Sequence, residues 1–105
     1  MTKEDRLKLH QELVDVVNGD AKIYFQPPSG QNLSYPCVIY ERSGLQVTNA
    51  DDSKYLKQSI WNLTVITKDP DSELPDKIFS YFLHSSYDQV FVNDHLYHHV
   101  MTIYY

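Results

Sequence analysis

The chain has 105 residues and one cysteine, and 14 acidic against 9 basic residues give it a formal charge of −5. This length predicts one domain with one core, and the acidity argues against a protein dedicated to binding phosphate backbones. A lone thiol excludes an intramolecular disulfide and a four-thiolate metal site within one chain. The charged N-terminus and the lack of a long apolar run favour a protein kept in an aqueous interior, without a membrane partner.

The first third of the chain predicts a helix, a short strand and a long loop. Apolar residues recur at helical spacing between Leu9 and Val17, and Gly19 supplies the left-handed exit that ends the helix. Residues 21–25 are typical of a short strand. The prolines and the glycine of residues 26–36 predict an irregular loop, whose length for so small a domain is that of a functional loop or a simply mobile one.

The middle of the chain predicts two strands joined by a tight connection. Residues 37–49 are typical of a strand with a bend or bulge at Ser43–Gly44. Residues 49–54 (NADDSK) indicate the tip of a hairpin. Polar and apolar residues then alternate over residues 55–67, which predicts an unusually long strand whose more aromatic face, including Trp61, packs in the core.

The last third predicts a second helix and a closing hairpin. In the corner DPDSELPDK, Asp69 or Ser72 can cap the helix, and Pro75 suits its first turn. The helix is expected to lie on the sheet through a stripe of four apolar residues: Ile78, Phe79, Phe82 and Leu83. Residues 87–105 predict a hairpin with its turn around Asn93–Asp94.

These elements predict a single α+β domain over residues 1–105. Its sheet is mainly antiparallel with about five strands, and two helices pack on it. The predicted order of elements is α-β-β-β-α-β-β.

The chain offers only weak candidates for catalysis or metal binding. His98 and His99 would point to opposite faces of a strand, so with His95 they are interpreted as polar hairpin residues, whose clustering would make an interface sensitive to pH. The acidic corner from Asp69 to Asp76 lacks the glycine and terminal glutamate of an EF-hand loop, so helix capping explains it better than calcium. Cys37 is expected to be a small buried residue. No enzymatic activity, metal or cofactor is therefore expected.

The aromatic residues favour a surface that is buried by a partner. The chain has nine tyrosines, four phenylalanines and one tryptophan, and a tyrosine joins a large apolar body to a polar tip. The tyrosines that favour an interface are Tyr35, Tyr55, Tyr104 and Tyr105. Identical acidic subunits must also pair opposite local charges, such as Lys54 and Lys57 against Asp51, Asp52 or the Asp69 corner.

Three segments carry a resemblance to a known family: YPCVIYER, then YLKQSIWNLTVITKDPDSELPDKI, then the closing HVMTIYY. Together they resemble the small structural proteins of the head-to-tail region of long-tailed bacteriophages, in particular the tail terminators. The resemblance covers about two thirds of the chain, from Tyr35 to Tyr105. Its most specific piece is VITKDPDSELPDKI.

The resemblance implies a virion protein that is assembled in the host cytoplasm. It implies a hexameric ring at the head-proximal end of the tail tube, which stops polymerisation of the tube protein and presents the docking surface for the head connector. Genomic DNA would pass through the lumen without specific binding, which the net acidity favours. Members of this family contact one another through sheet edges and extended hairpins, which for this sequence predicts subunit contacts at residues 46–57 and 27–35. With the Asp69 corner as the charge partner of the lysines, the predicted interface residues are Gln46, Thr48, Asp51, Asp52, Lys54, Tyr55, Lys57, Tyr35 and Asp69.

Two alternatives stay open. One is a neighbouring neck role, as a head completion or head-tail joining protein, which shares ring symmetry but caps a different end. The other is a small enzyme or a host-directed binding protein, which a stoichiometric metal or a hydrolytic activity would favour.

Overall fold

The computed structural model describes residues 3–50 and 54–105, which form two helices and five strands. The elements are α1 (Lys3–Val17), β1 (Lys22–Phe25), β2 (Cys37–Ala50), β3 (Lys54–Thr67), α2 (Leu74–Tyr81), β4 (Ser85–Asn93) and β5 (Leu96–Tyr104). The predicted α+β class and the order α-β-β-β-α-β-β are thus confirmed. Helix α1 ends as predicted, because Gly19 takes a left-handed φ of 83°.

The five strands form one sheet in the order β1-β2-β3-β5-β4. All neighbouring strands pair antiparallel except β1 and β2, which are parallel. Two parallel neighbours need a crossover of about a dozen residues, and the loop of residues 26–36 makes that crossover. This loop therefore has a structural reason for its length. The bulge that the sequence predicts in β2 is present as a register shift between Arg42 and Gly44.

One face of the sheet packs against both helices and holds the core. Alternate residues of β2, β3 and β5 point to this face, as period-two strands require. From β3, Trp61, Leu63 and Val65 are fully buried there. Among the residues whose burial the structure describes, the core cluster is Leu9, Leu13, Val16, Val17, Val38, Tyr40, Trp61, Leu63, Val65, Leu74, Ile78, Phe82, Met101 and Ile103.

The second helix differs from its prediction at both ends. It begins at Leu74 behind Glu73, which makes no side-chain cap. Of the two predicted capping residues, Asp69 does not reach the helix, whereas the Ser72 hydroxyl accepts a hydrogen bond from the Leu74 N–H at 3.3 Å. Ile78 and Phe82 are buried as predicted, but Phe79 is 36% exposed and Leu83 is 92% exposed. Leu83 lies outside the stripe because the helix ends at Tyr81 and the backbone is extended at the next residue. Phe79 lies within the helix, and its ring contacts that of Tyr87 with 5.4 Å between centroids.

Trp61 lies at the centre of an aromatic cluster between β3 and α1. Its ring centroid is 5.9 Å from that of Tyr40 and 6.4 Å from that of Phe25, and the Arg42 guanidinium lies 5.7 Å from its centroid. The Arg6 guanidinium of α1 covers the Phe25 ring at 4.6 Å. The buried Trp61 Nε1 has no hydrogen-bond partner among the described residues. Trp61 therefore stabilises the domain through packing.

We expect Trp61→Ala to lower the free energy of unfolding by about 3–5 kcal/mol, because it empties the centre of this cluster. Trp61→Phe is the matched control. It keeps an aromatic ring and removes an indole N–H that has no partner, so its loss should be clearly smaller. Equilibrium urea unfolding measures both, and a Trp61→Ala protein as stable as the wild type would place the residue outside the core.

Two histidines are held in the folded chain by tyrosine hydroxyls. His10 Nδ1 lies 2.7 Å from the Tyr40 hydroxyl, and His99 Nδ1 hydrogen bonds with the Tyr87 hydroxyl. Burial lowers the pKa of His10 below 6.5, and the positive charge of Arg6 lowers it further. Burial also lowers the pKa of His99, although the Asp76 carboxylate opposes the shift. Both imidazoles are thus more easily protonated in the unfolded chain.

The free energy of unfolding should therefore fall as the pH drops through 6.5. Below this value the unfolded chain binds protons that the folded chain does not, whereas above it both states are neutral. Urea midpoints between about pH 8 and pH 5 measure the slope. The double variant His10→Gln/His99→Gln should flatten it, with His84→Gln at an exposed position as the control. Equal slopes in the wild type and the double variant would contradict the assignment.

Candidate interaction surfaces

The paired ends of β2 and β3 form a two-stranded arm. Strand β1 pairs with β2 only up to Tyr40, and Ser59 of β3 is the last residue to exchange backbone hydrogen bonds with Tyr105 after β5. Beyond it, five residue pairs from Gln46↔Gln58 to Ala50↔Lys54 connect β2 to β3 alone. We call residues 46–50 and 54–58 the arm. Five pairs extend about 15 Å, and the longest dimension of the molecule is 51 Å against 25 and 24 Å for the others.

The opposite end of β2 and β3 borders an acidic notch, which is a cavity of about 430 Å³. Its lining residues are Asp20, Pro36, Asp69, Asp71, Ser72, Glu73, Leu74 and Lys77. The corner after β3 is shaped by local hydrogen bonds: Thr67 Oγ1 donates to the Asp69 carbonyl at 3.1 Å, and the Asp71 N–H donates to Asp69 Oδ1 at 2.9 Å. Asp69 therefore caps a turn and not the helix.

The predicted interface residues fall at these two ends. Gln46, Thr48, Lys54, Tyr55 and Lys57 belong to the strands of the arm. Asp51 and Asp52 lie outside the described residues. Tyr35 and Asp69 lie together at the notch end, where Pro36 lines both the notch and the adjoining cavity that Tyr35 borders. A strand of fourteen residues spans about 43 Å, so one chain cannot bring the Asp69 corner to its own Lys54.

The surroundings of the histidines and of the cysteine favour a role in the fold over metal binding or catalysis. His99 hydrogen bonds with the Tyr87 hydroxyl, whereas His98 lies on the other face and stacks on Phe91 with 4.7 Å between ring centroids. Within residues 3–50 and 54–105, no group of three or more potential ligands is placed to hold a metal ion. Cys37 is fully buried, and burial raises the pKa of its thiol to about 11. A thiol with that pKa is protonated at neutral pH and is a poor nucleophile.

The C-terminal tyrosine contributes to the fold more than to a free surface. The Tyr105 hydroxyl donates to the Glu12 carboxylate, which also accepts a hydrogen bond from the Tyr81 hydroxyl at 3.0 Å. Glu12 thereby connects α1 to α2 and to the end of β5. Burial raises the pKa of Tyr105, and the hydrogen bond that its hydroxyl donates to the Glu12 carboxylate raises it further. No local pattern in the sequence predicts this pairing, because the residues are far apart in the chain.

A further surface is missing from the sequence predictions: the outer edge of β4. The order of strands leaves β4 at the end of the sheet, and its apolar residues are exposed by 54% at Val90, 40% at Phe91 and 59% at Val92. This run of β-branched and aromatic residues predicts a strand, but a strand's position in the sheet depends on long-range pairing. Lysine and proline commonly protect edge strands, and residues 85–93 contain neither. This absence is the one sequence feature that indicates an unprotected strand.

No family model matches the chain, and no curated protein matches its sequence. In the part of the chain that the structure describes, neither helix has the length and apolar character needed to cross a membrane.

The arm should be dispensable for folding, because its strands pair only with each other. We expect a variant that lacks residues 47–57, with Gln46 joined to Gln58 through Asn-Gly, to unfold at nearly the same urea concentration as the wild type. Circular dichroism and urea unfolding measure the effect. A variant that no longer folds would make the arm part of the stable domain and not an appendage.

Proposed function

We propose that this chain is a structural protein of a long-tailed bacteriophage, a tail terminator that forms a hexameric ring at the head-proximal end of the tail tube. The ring stops polymerisation of the tube protein and offers the docking surface for the head connector. The arm is the observation that carries the proposal. It adds to the resemblance of residues 35–105 to this group of proteins.

The arm supports an assembly role on energetic grounds. An isolated two-stranded hairpin is marginally stable in water, because each strand leaves one row of backbone groups unpaired. The five pairs of the arm have no third strand in the described chain. Contact with a neighbouring subunit would cover these groups and stabilise the arm. Such a contact needs no catalytic residue, metal or cofactor.

The positions of opposite charges support a head-to-tail contact between subunits. The arm carries Lys54 and Lys57, whereas the acidic notch lies at the other end of the same two strands. A contact between two different surfaces of identical subunits is heterologous, and it closes into a ring when the rotation allows. A lysine-bearing arm placed at the acidic end of the next copy satisfies this condition. The remaining excess of acidic residues disfavours DNA binding, so genomic DNA would pass through the lumen.

A head completion or head-tail joining protein is the alternative within the same proposal. It would use the same heterologous contact. The two roles differ only in which end of the neck the ring occupies. Loss of the protein discriminates between the two. Overlong tails without heads indicate a terminator, whereas tails of normal length beside unjoined heads indicate a neck protein.

The contact can be tested by charge reversal in the arm. We expect Lys54→Glu/Lys57→Glu to fold normally by circular dichroism but to fail to restore joined, infectious particles to a phage with an early stop codon in this reading frame. Like charges would then face each other at the contact. The control, Lys3→Glu/Lys8→Glu, makes the same change of charge at exposed positions of α1 and should restore particles fully.

Two outcomes of this complementation would contradict the proposal. If the arm variant restores particles as well as the wild type, the lysines of the arm are not at a required contact. If the phage with the stop codon makes normal particles without any complementation, the chain has no role in building the virion.

A further inference from the structure

The outer edge of β4 exposes backbone groups in a defined pattern. Asp94 and His95 have φ angles of 51° and 63°, so they form the two-residue type I′ turn between β4 and β5. The flanking pair Asn93↔Leu96 exchanges both of its backbone hydrogen bonds in such a hairpin. By alternation along the ladder, the peptide N–H and C=O groups of Val90 and Val92 point away from β5 and toward the free edge.

Devices that usually protect an edge strand are scarce on β4. Such edges commonly carry lysine or proline, or are very short. Strand β4 has nine residues, and its one charged residue is Asp88, at the register shift between Tyr87 and Gln89. The opposite edge, β1, has only four residues. The stretch from Gln89 to Asn93 is therefore an open, apolar edge, and its unpaired backbone groups match those of another extended strand.

We propose that this edge is the contact of a two-fold dimer, in which β4 pairs antiparallel with β4 of a second copy around Phe91. In this register Val90 of each copy lies opposite Val92 of the other. Both residues present their backbone groups to the free edge, so each of the two Val90–Val92 pairs is a hydrogen-bonded pair. Phe91 lies opposite its own equivalent as a non-hydrogen-bonded pair, and the three exposed apolar residues of each copy cover those of the other.

Other centres of symmetry match less well. A centre at Val90 sets Val92 opposite the bulged Asp88, and a centre at Val92 sets Val90 opposite Asp94 in the turn. Only the centre at Phe91 pairs all the apolar residues with one another and leaves both acids at the ends. The contact is isologous, so it closes at two copies and does not propagate as a heterologous edge contact would. It requires only this chain and is a contact of the free protein, because a two-fold contact added to a six-fold ring would join two rings.

Disulfide trapping tests the contact and its register in the purified full-length protein. A non-hydrogen-bonded antiparallel pair has Cα atoms about 4.5 Å apart, which falls in the range of disulfides. Phe91→Cys should therefore give a covalent dimer on mild oxidation. Cys37, the only native cysteine, is buried and its pKa is raised to about 11, so it should not contribute. Gln89→Cys is the control, because its equivalents would be about 13 Å apart across the two-fold axis.

A mixed experiment checks the register without changing Phe91. Equal amounts of Val90→Cys and Val92→Cys proteins should form the mixed disulfide in preference to either homodimer. The proposal is overturned if Phe91→Cys stays monomeric while folded by circular dichroism, if Gln89→Cys cross-links as readily, or if the mixed disulfide is not preferred. Each of these results would mean that β4 does not meet a second β4 in this register.

Discussion

Strand β3 forms hydrogen-bonded ladders with both β2 and β5, and the two ladders differ in length. The ladder with β5 covers the part of β3 whose buried face, with Trp61, Leu63 and Val65, packs against the helices. The ladder with β2 continues past that part by five further pairs. One strand therefore belongs to the core at one end and to a projecting arm at the other. The bulge between Arg42 and Gly44 lies close to the transition.

This division separates the parts of the molecule that stabilise it from the parts available to partners. The helices cover a single face of the sheet, and the aromatic cluster around Trp61 packs in the core between the sheet and the helices. Backbone groups remain unpaired on the arm and along the outer edge of β4. Unpaired strand edges attract other strands, so both features favour association. They differ in symmetry, because the arm fits a head-to-tail contact and the β4 edge fits a contact between like surfaces.

The sequence predicts local features of this fold better than long-range ones. Helix α1, the bulge in β2 and the burial of Trp61 follow from periodicity and from the conformational freedom of glycine, which are properties of short segments. The parallel pairing of β1, the edge position of β4 and the contact of Glu12 with Tyr105 depend on residues far apart in the chain. The predicted stripe on α2 includes Leu83, which lies beyond the helix, because no glycine or proline marks the end of that helix.

For the candidate surfaces, too, the sequence predicts local features better than long-range ones. The alternation over residues 55–67 identified a strand longer than the core requires, and its length is what produces the arm. The composition of the acidic corner predicts a helix cap, but Asp69 caps a turn before the helix begins, and it is the Ser72 hydroxyl that accepts a hydrogen bond from the Leu74 N–H. That the corner and the arm lie at opposite ends of the same strands follows only from the register of β2 and β3.

The position of this chain in the particle tests the proposed ring most directly. Electron cryomicroscopy of the particles made by the genome that encodes it, with an epitope tag on the chain for antibody labelling, would locate the protein. A tail terminator should form a single ring at the junction of head and tail, with each arm in contact with the next subunit. Particles that carry no label, or labelled subunits away from the junction, would contradict it.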